Sequence, residues 1–544
     1  MAFLDFLDKE RTIAGPGFNR WLVPPAALAI HLCIGMAYGF SVFWLPLSRA
    51  IGIDEPLACA ADISFMAEVF GASCDWKISM LGWMYTLFFV FLGLAAAVFG
   101  GWLEHAGPRK AGVVSALCWC GGLVISALGI YTHQIWLMWL GSGVIGGIGL
   151  GLGYISPVST LIKWFPDRRG MATGMAIMGF GGGAMIGAPL ADKLMNFFAT
   201  PTSVGVWETF LALAAIYFVF MIGGALAYRV PTSGWKPAGW TPPAKAAGNG
   251  MITDRHVHVS KVWGIPQFWL LWAVLTLNVS AGIGIIGMSS PLLQEVFGGK
   301  LIGLDIAFND LDTSQKAQIA AIAAGFTGLL SLFNIGGRFV WASVSDFIGR
   351  KMTYFVFLVL GLILYTSIPS FAHAGQLALF VAAFGIILSM YGGSFSTIPA
   401  YIADLFGTQM VGAIHGRILT AWATAGVLGP VLVNYIREYQ IANGVPKAQA
   451  YDVTMYVLAG MIVLGLICNA MVRPVADKHF MTDAELAAER KLAHERASVN
   501  NGSAAAAGTG ATSPVVTVFA WAAVGLPLAA GIWITLQKAI VLFK

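Results

Sequence analysis

The sequence predicts an all-α polytopic membrane protein of two six-helix halves plus one C-terminal extra transmembrane helix, and three observations carry that expectation. Of 544 residues, 58% are apolar and only 10% are Asp, Glu, Lys or Arg, against about 25% charged in ordinary soluble domains. Apolar stretches of about 20 residues recur along the chain, each long enough to cross roughly 30 Å of hydrocarbon as a helix rising 1.5 Å per residue. A group of residues also repeats at one fixed offset. A β-barrel is excluded, because its strands would read as short alternating segments rather than continuous apolar runs.

Thirteen spans are expected, at 21–47, 79–102, 111–131, 135–162, 171–191, 207–228, 266–290, 317–343, 352–371, 376–401, 412–436, 453–472 and 515–537. A Pro/Gly/Lys-containing linker at 229–265 divides an N-terminal half, 21–228, from a C-terminal half, 266–473. A second linker, 474–513, precedes an accessory segment, 514–544. Placing residues 1–20 in the cytoplasm puts 21 Lys/Arg on that side, against seven in the outer loops 48–78, 192–206, 291–316 and 437–452. The positive-inside rule favours that orientation, with the C-terminus outside if the thirteenth helix spans. The mixed-charge N-terminus lacks the apolar core of a signal peptide. Cys59 and Cys74 share one outer polar loop, where a disulfide and two free thiols are both compatible with the spacing.

The internal repeat supports the division. Gly100-x-x-x-Glu104-His105-x-Gly107-Pro108-Arg109-Lys110 has a counterpart in Asp346-Phe347-x-Gly349-Arg350-Lys351, and Glu104 to Asp346 is 242 residues. Gly107 to Gly349, Gly170 to Gly412, Gly174 to Gly416 and Gly187 to Gly429 share that offset, as expected of two similar halves. An acidic-Gly-basic turn suits a hinge in which Glu104, Arg109, Asp346 and Arg350 exchange partners, although a plain positive-inside loop would read alike. Glycines at 143, 147 and 151, and at 179, 183 and 187, mark faces where helix backbones approach. The Gly-rich run 146–153 follows no strand and precedes no Lys-Ser/Thr, so a nucleotide site is not read there. Cofactor, metal-ligand, nucleic-acid and nucleophile signatures are absent, and the chain is not read as an enzyme.

Among the 31 Lys/Arg, Arg338 alone resists placement at a membrane boundary, standing eight residues before Asp346, about 12 Å of helix. A guanidinium that deep costs roughly 2.5–3.5 kcal/mol on the gentlest insertion scale, so it should face a polar cavity or a partner. Its bidentate fork fits a carboxylate; the bland alternative is a structural Arg snorkelling to the interface or held by Asn334. His31 lies near the middle of the first span with Gly35 and Tyr38 on the same face. It is either a proton-coupling group or a neutral inter-helix hydrogen bonder. Tyr154, Asn278, Ser280 and Tyr391 offer neutral hydrogen-bonding groups, each of which alone reads as readily as helix-helix glue. Lys163 to Gly170 reads as a gating and topology turn. Thr482-Asp483-Ala484-Glu485 is a capping-box pattern opening a charged, solvated or membrane-surface helix to about Ser498.

With these residues the chain resembles the major facilitator superfamily, and within it the oxalate/formate antiporter family, which is related to the monocarboxylate transporters. The resemblance covers Trp21 to about Met481 and rests on Lys163 to Gly170, Asn278 to Gly284, Gly337-Arg338 leading to Ser345-Asp346, and Ala421-Trp422 followed by Gly429-Pro430. It implies that Arg338 binds a substrate carboxylate between walls formed by Tyr38, Tyr154 and Tyr391. It also implies a place in the eleventh helix that a Lys holds in the oxalate exchanger type and that Trp422 holds here. The Lys of the first helix in animal monocarboxylate transporters has no counterpart. Residues 514–544 resemble a small one-helix subunit that accompanies some bacterial members.

The expectation is a secondary active transporter of small carboxylate anions in a bacterial inner membrane, working by alternating access. A monocarboxylate of the formate, lactate or pyruvate class is favoured, moved by proton symport or anion exchange. The alternatives are an oxalate:formate antiporter and a non-transporting carboxylate sensor, while a neutral solute would leave a buried Arg unexplained. Partners are the bilayer, the anion and protons, with no nucleotide.

Overall fold

The computed structural model describes residues 6–53, 57–60, 63–71, 73–76, 78–232, 235–240, 251–489, 491 and 512–543. Its long helices are α1 (Val23–Ile34, continued as a tighter 3₁₀ stretch over Gly35–Phe43), α2 (Ile78–Ala106), α3 (Pro108–Tyr131) and α4 (Ile135–Trp164, containing a π-helical stretch over Trp139–Gly146). They continue with α5 (Arg169–Phe198), α6 (Val206–Ala227), α7 (Pro266–Phe297) and α8 (Thr313–Ile348). The remainder are α9 (Arg350–His373), α10 (Leu377–Phe406), α11 (Val411–Ala442), α12 (Asp452–Met471) and α13 (Pro514–Ala539). Among the described residues, twelve of these are long and apolar enough to cross a membrane. The thirteenth, α8, is 36 residues long and packs on α5 and α10 in the same bundle. The chain is a multi-pass, all-helical membrane protein.

Local chemistry sets the helix ends. Pro24 and Pro25 open α1, where missing N–H groups cost nothing. Asp312 and Gln315 form a reciprocal capping box at the start of α8, with bonds of 2.8 and 2.9 Å. The repeated turns match in conformation: Gly107 has φ +85° and Gly349 φ +84°, values that an L side chain resists. Both turns lie at one end of the bundle, here called the turn face. The opposite end carries Cys59 and Cys74, which are joined in a disulfide with Cα atoms 4.9 Å apart. That loop is gathered by buried Asp75, whose carboxylate accepts from the Ile51, Gly52 and Leu57 amides at 2.7, 3.0 and 2.9 Å.

Both glycine stripes serve packing. Gly143, Gly147 and Gly151 lie against Leu87, Phe91 and the Leu92 carbonyl of α2, while Gly179, Gly183 and Gly187 lie against Leu28, Leu32, Gly35 and Met36 of α1. Small residues let van der Waals contact between backbones hold helices together where lipid removes the hydrophobic driving force. The first six helices meet the next six along two seams. On one, Gly93, Ala96 and Gly100 of α2 face Ala423, Gly416 and Ala413 of α11; on the other, Gly174 and Gly181 of α5 face Ala342, Ile335 and the Arg338 side chain of α8.

The central linker leaves from the first set of helices, where Val230 bridges to Ile13 and the Arg229 carbonyl accepts from Trp164 Nε1 at 2.8 Å, and its later part is tied to the second set. Thr253 donates to the Asp404 carbonyl at 2.9 Å, Arg255 pairs with Asp477 at 2.6 Å, and Val257 bridges to Phe480. The Thr482/Glu485 capping box forms, with Glu485 donating its amide to Thr482 Oγ1 at 3.2 Å and returning a carboxylate to the Thr482 amide at 2.8 Å. Residues 490 and 492–498 of the charged helix expected there lie outside the described residues. Helix α13 lies across α1, α5 and α8, touching both sets of six. Trp521 donates to the Trp21 carbonyl at 3.0 Å, Leu528 covers Gly182, Gly531 faces Met185, and Thr535 covers Gly328. A side-chain carbon at Gly525 would meet no neighbour.

Candidate functional site

Four close approaches position the site. Gly337 of α8 abuts the Ser389 carbonyl of α10, and Gly392 of α10 abuts the Asn334 carbonyl of α8. Gly282 of α7 makes room for the Tyr391 ring, and Gly35 of α1 accepts the backbone of Phe180. Each of these places lacks space for a side-chain carbon, so the helices bring their polar groups into the middle of the bundle.

Arg338 is fully buried there. Its Nε donates to Asn334 Oδ1 at 2.9 Å and its Nη1 to the Ile177 carbonyl of α5 at 3.1 Å. The guanidinium carbon lies 5.6 Å from the Phe180 ring centre and 5.5 Å from that of Phe395. Cation–π attraction of about 0.5–2 kcal/mol per ring offsets part of its desolvation. Among the described residues no carboxylate pairs with it, and its Nη2 is buried without a hydrogen-bond partner. Asn334 thus holds one edge of the guanidinium, as the structural alternative expected.

Around this group the aromatic walls assemble. Tyr38 of α1 and Tyr391 of α10 share a hydroxyl-hydroxyl hydrogen bond of 2.8 Å across the two sets of helices. Trp422 of α11 is wholly buried, with ring centres 4.4 Å from Phe395, 5.3 Å from Phe180 and 5.1 Å from Tyr154. The Trp422 Nε1 and the Tyr154 hydroxyl are buried without hydrogen-bond partners. The Arg338 guanidinium acts most closely on the Tyr38 and Tyr154 hydroxyls and more weakly on that of Tyr391. Tyr38, Tyr154, Tyr391 and Trp422 are thus brought together with Arg338.

Of the other expected residues, His31 borders the cluster through Tyr154 and Phe180. Asn278 is buried in α7, one turn before the Gly282 that abuts Tyr391, with its Nδ2 unpartnered; Ser280 turns back to the Thr276 carbonyl at 2.7 Å. His31 is fully buried, with Nδ1 against the Ala176 carbonyl, Nε2 3.3 Å from the Tyr154 carbonyl, and its ring 5.4 Å from that of Tyr154. A neutral imidazole can donate to only one of these two carbonyls, while the protonated ring could donate to both. Phe180, Phe395 and Phe89 complete the walls and had no signal in the sequence, since Phe in an apolar run is unremarked. His415 of α11 was also passed over, as a residue near a span boundary. It is 1% exposed, with both ring nitrogens unpartnered and its ring 6.1 Å from that of Tyr154.

At the turn face the repeated motif does two different jobs. Arg350 pairs with Asp346 at 2.5 Å and reaches Asp404 of α10 at 3.5 Å, clustering charges from α8, α9 and α10. Arg109 instead donates to the backbone carbonyls of Phe6 and Tyr228 at 2.7 and 3.3 Å. The side chain of Glu104 lies outside the described ones. Arg20, at the entry to α1, forms a two-pronged pair with Asp167 of the α4–α5 turn at 2.8 and 3.2 Å and covers the Phe165 ring.

Residues 27–430 match the Major Facilitator Superfamily, which makes this helical bundle a membrane transporter rather than an enzyme. The chain belongs to that superfamily. It is 26% identical over 414 residues to the oxalate:formate antiporter of Oxalobacter formigenes, covering 76% of this chain and 83% of that one. With apicoplast pyruvate carrier 1 of Toxoplasma gondii it shares 24% identity over 457 residues, 72% of this chain and 78% of the carrier. Its fold matches that of the human organic anion transporter MFSD10 with a TM-score of 0.55 at 16% identity, over 84% of this chain and all of that one.

Proposed function

We propose that this transporter carries small carboxylate anions, binding the carboxylate at Arg338 between Tyr38, Tyr154, Tyr391 and Trp422. One observation carries the reading: Arg338 has no carboxylate partner among the described residues, and beside it the Tyr154 hydroxyl and Trp422 Nε1 are buried donors without acceptors, in one aromatic cluster. A buried donor left unpaired costs about 1–3 kcal/mol, and more when charged. A carboxylate, acceptor-only with two oxygens, satisfies several at once and neutralises the guanidinium. A neutral solute would leave the charge uncompensated. Similarity to the oxalate:formate antiporter and to the pyruvate carrier points the same way.

The halves 21–228 and 266–473 rock about this midplane site, with 229–265 joining them and the turn face cytoplasmic, in a bacterial inner membrane. The Asp346–Arg350–Asp404 cluster and the turn containing Glu104 and Arg109 act as gates that exchange partners during rocking. A monocarboxylate is the favoured substrate. With one fixed cation in the cluster, a monoanion is neutralised, whereas a dianion keeps a charge in low dielectric. Oxalate:formate exchange is the second reading, favoured by the 26% identity to that antiporter. A substrate panel in proteoliposomes, run with and without a pH gradient, separates these readings. Accumulation of formate, lactate or pyruvate driven by the gradient supports proton symport, and uptake only against internal anion supports exchange. Binding without uptake would make the protein a sensor.

A further inference from the structure

His415 stands where a titratable group is least expected. It lies in the first turns of α11, the stretch whose Ala413 and Gly416 press on Gly100 and Ala96 of α2 with no room for further atoms. Both ring nitrogens are buried and unpartnered. From α4, Tyr154 presents its ring to the imidazole, and α2 meets the neighbouring Ala413 and Gly416. Of the other elements packed on this stretch, α10 carries Tyr401 and Asp404, the latter engaged by Arg350 at 3.5 Å, the 259–264 turn carries Lys261, paired with Glu485 at 3.1 Å, and α7 carries no charged side chain before Glu295. Arg417, two residues on, points away to the Val259 carbonyl and the Trp263 ring. Arg338 lies beyond Tyr154 and Phe180.

We propose that His415 is the proton-sensing residue of the alternating cycle: the α2–α11 seam at the turn face closes only over a neutral imidazole, and a proton on His415 holds that seam open. An imidazolium sealed without a partner in a dry helix interface is strongly unfavourable, whereas the same group wetted by an open vestibule is stable. Proton binding and seam opening are then linked, each favouring the other. This gives transport a pH dependence without a proton on the substrate. The inference rests on alternating access and not on which anion is carried.

With an exposed imidazole titrating near 6.5, the ratio of open to closed seam should rise about tenfold between roughly pH 7.5 and 5.5. Hydrogen exchange of the full chain in nanodiscs, corrected for intrinsic rates and without substrate, reads this directly. Peptides covering 93–106 and 411–418 should exchange faster at the lower pH in the wild type and in His31→Gln. The shift should vanish in His415→Gln, and His415→Arg should exchange fast at both values. A His415→Gln protein that keeps the wild-type pH shift, or a wild type that shows none, overturns the proposal. Loss of the shift in His31→Gln alone would assign it to His31 and overturn it equally. If His415→Gln misfolds, His415→Phe carries the same expectation. None of these readouts depends on carboxylate binding, so failure here and failure of the substrate assignment are distinct.

Discussion

Arg338 is held on two edges and paired with no carboxylate among the described residues, and that asymmetry fixes what single substitutions should do. Tyr154→Phe and Trp422→Phe each remove one donor that has no protein acceptor. Each should therefore weaken carboxylate binding by about 0.5–1.5 kcal/mol, roughly two- to tenfold, Tyr154→Phe at near wild-type stability and Trp422→Phe with an added stability loss from the cavity it leaves. Isothermal titration on purified variants checks this. A drop in melting temperature with unchanged affinity would show that the groups serve packing alone. Arg338 was legible in the sequence because a cation deep in an apolar run has few explanations. Phe180 and Phe395 were not, because an apolar residue among apolar residues carries no sign of which way its helix turns. The partners of His31 were hidden for the same reason, being backbone carbonyls of other helices.

At the scale of elements, the helices and the matched turns could be read from composition and from the 242-residue offset. The difference between the two turns could not. Arg109 and Arg350 occupy equivalent places, yet one meets carbonyls and the other carboxylates, a choice made by what α6 and α10 bring alongside. Helix α13 was foreseen as an accessory, and its outer face exposes Val515, Phe519, Leu526 and Trp533. Because it spans α1, α5 and α8 outside the Arg338 cluster, truncation after Met481 should lower abundance and thermal stability more than turnover per folded molecule. Counting transporters by quantitative blotting beside initial uptake rates tests that; normal abundance with lost binding would place α13 in the site. In the disulfide loop, His133 stacks on Trp76 with ring centres 4.1 Å apart and bonds to the Cys74 carbonyl at 2.8 Å. Burial holds its imidazole below the ordinary histidine range, against the pull of that carbonyl and of Asp75. The folded loop thus resists a proton that the unfolded chain accepts near pH 6.5. Its stabilising contribution is complete above that value and declines as the pH falls through it. Exchange in peptides spanning 57–76 should rise on acidification in the wild type and not in His133→Gln.

For the whole molecule, the account is one of a single fixed cation at the meeting place of two sets of six helices. Two seams join the sets, α2 with α11 and α5 with α8, and the Tyr38–Tyr391 bond crosses between them. The charge argument then sets selectivity: at neutral pH, formate, lactate or pyruvate should displace a labelled substrate better than oxalate does. Oxalate outcompeting every monocarboxylate would show that the cluster supplies a second positive charge to a bound dianion. The most direct test of the central claim is carboxylate uptake by Arg338 variants reconstituted at equal density and verified orientation. Removing one partner of a buried charge pair costs about 2–5 kcal/mol, so Arg338→Ala should abolish measurable uptake. Arg338→Lys should retain little, since an ammonium lacks the two-pronged geometry. Near-normal uptake by a correctly inserted Arg338→Ala protein would contradict the account.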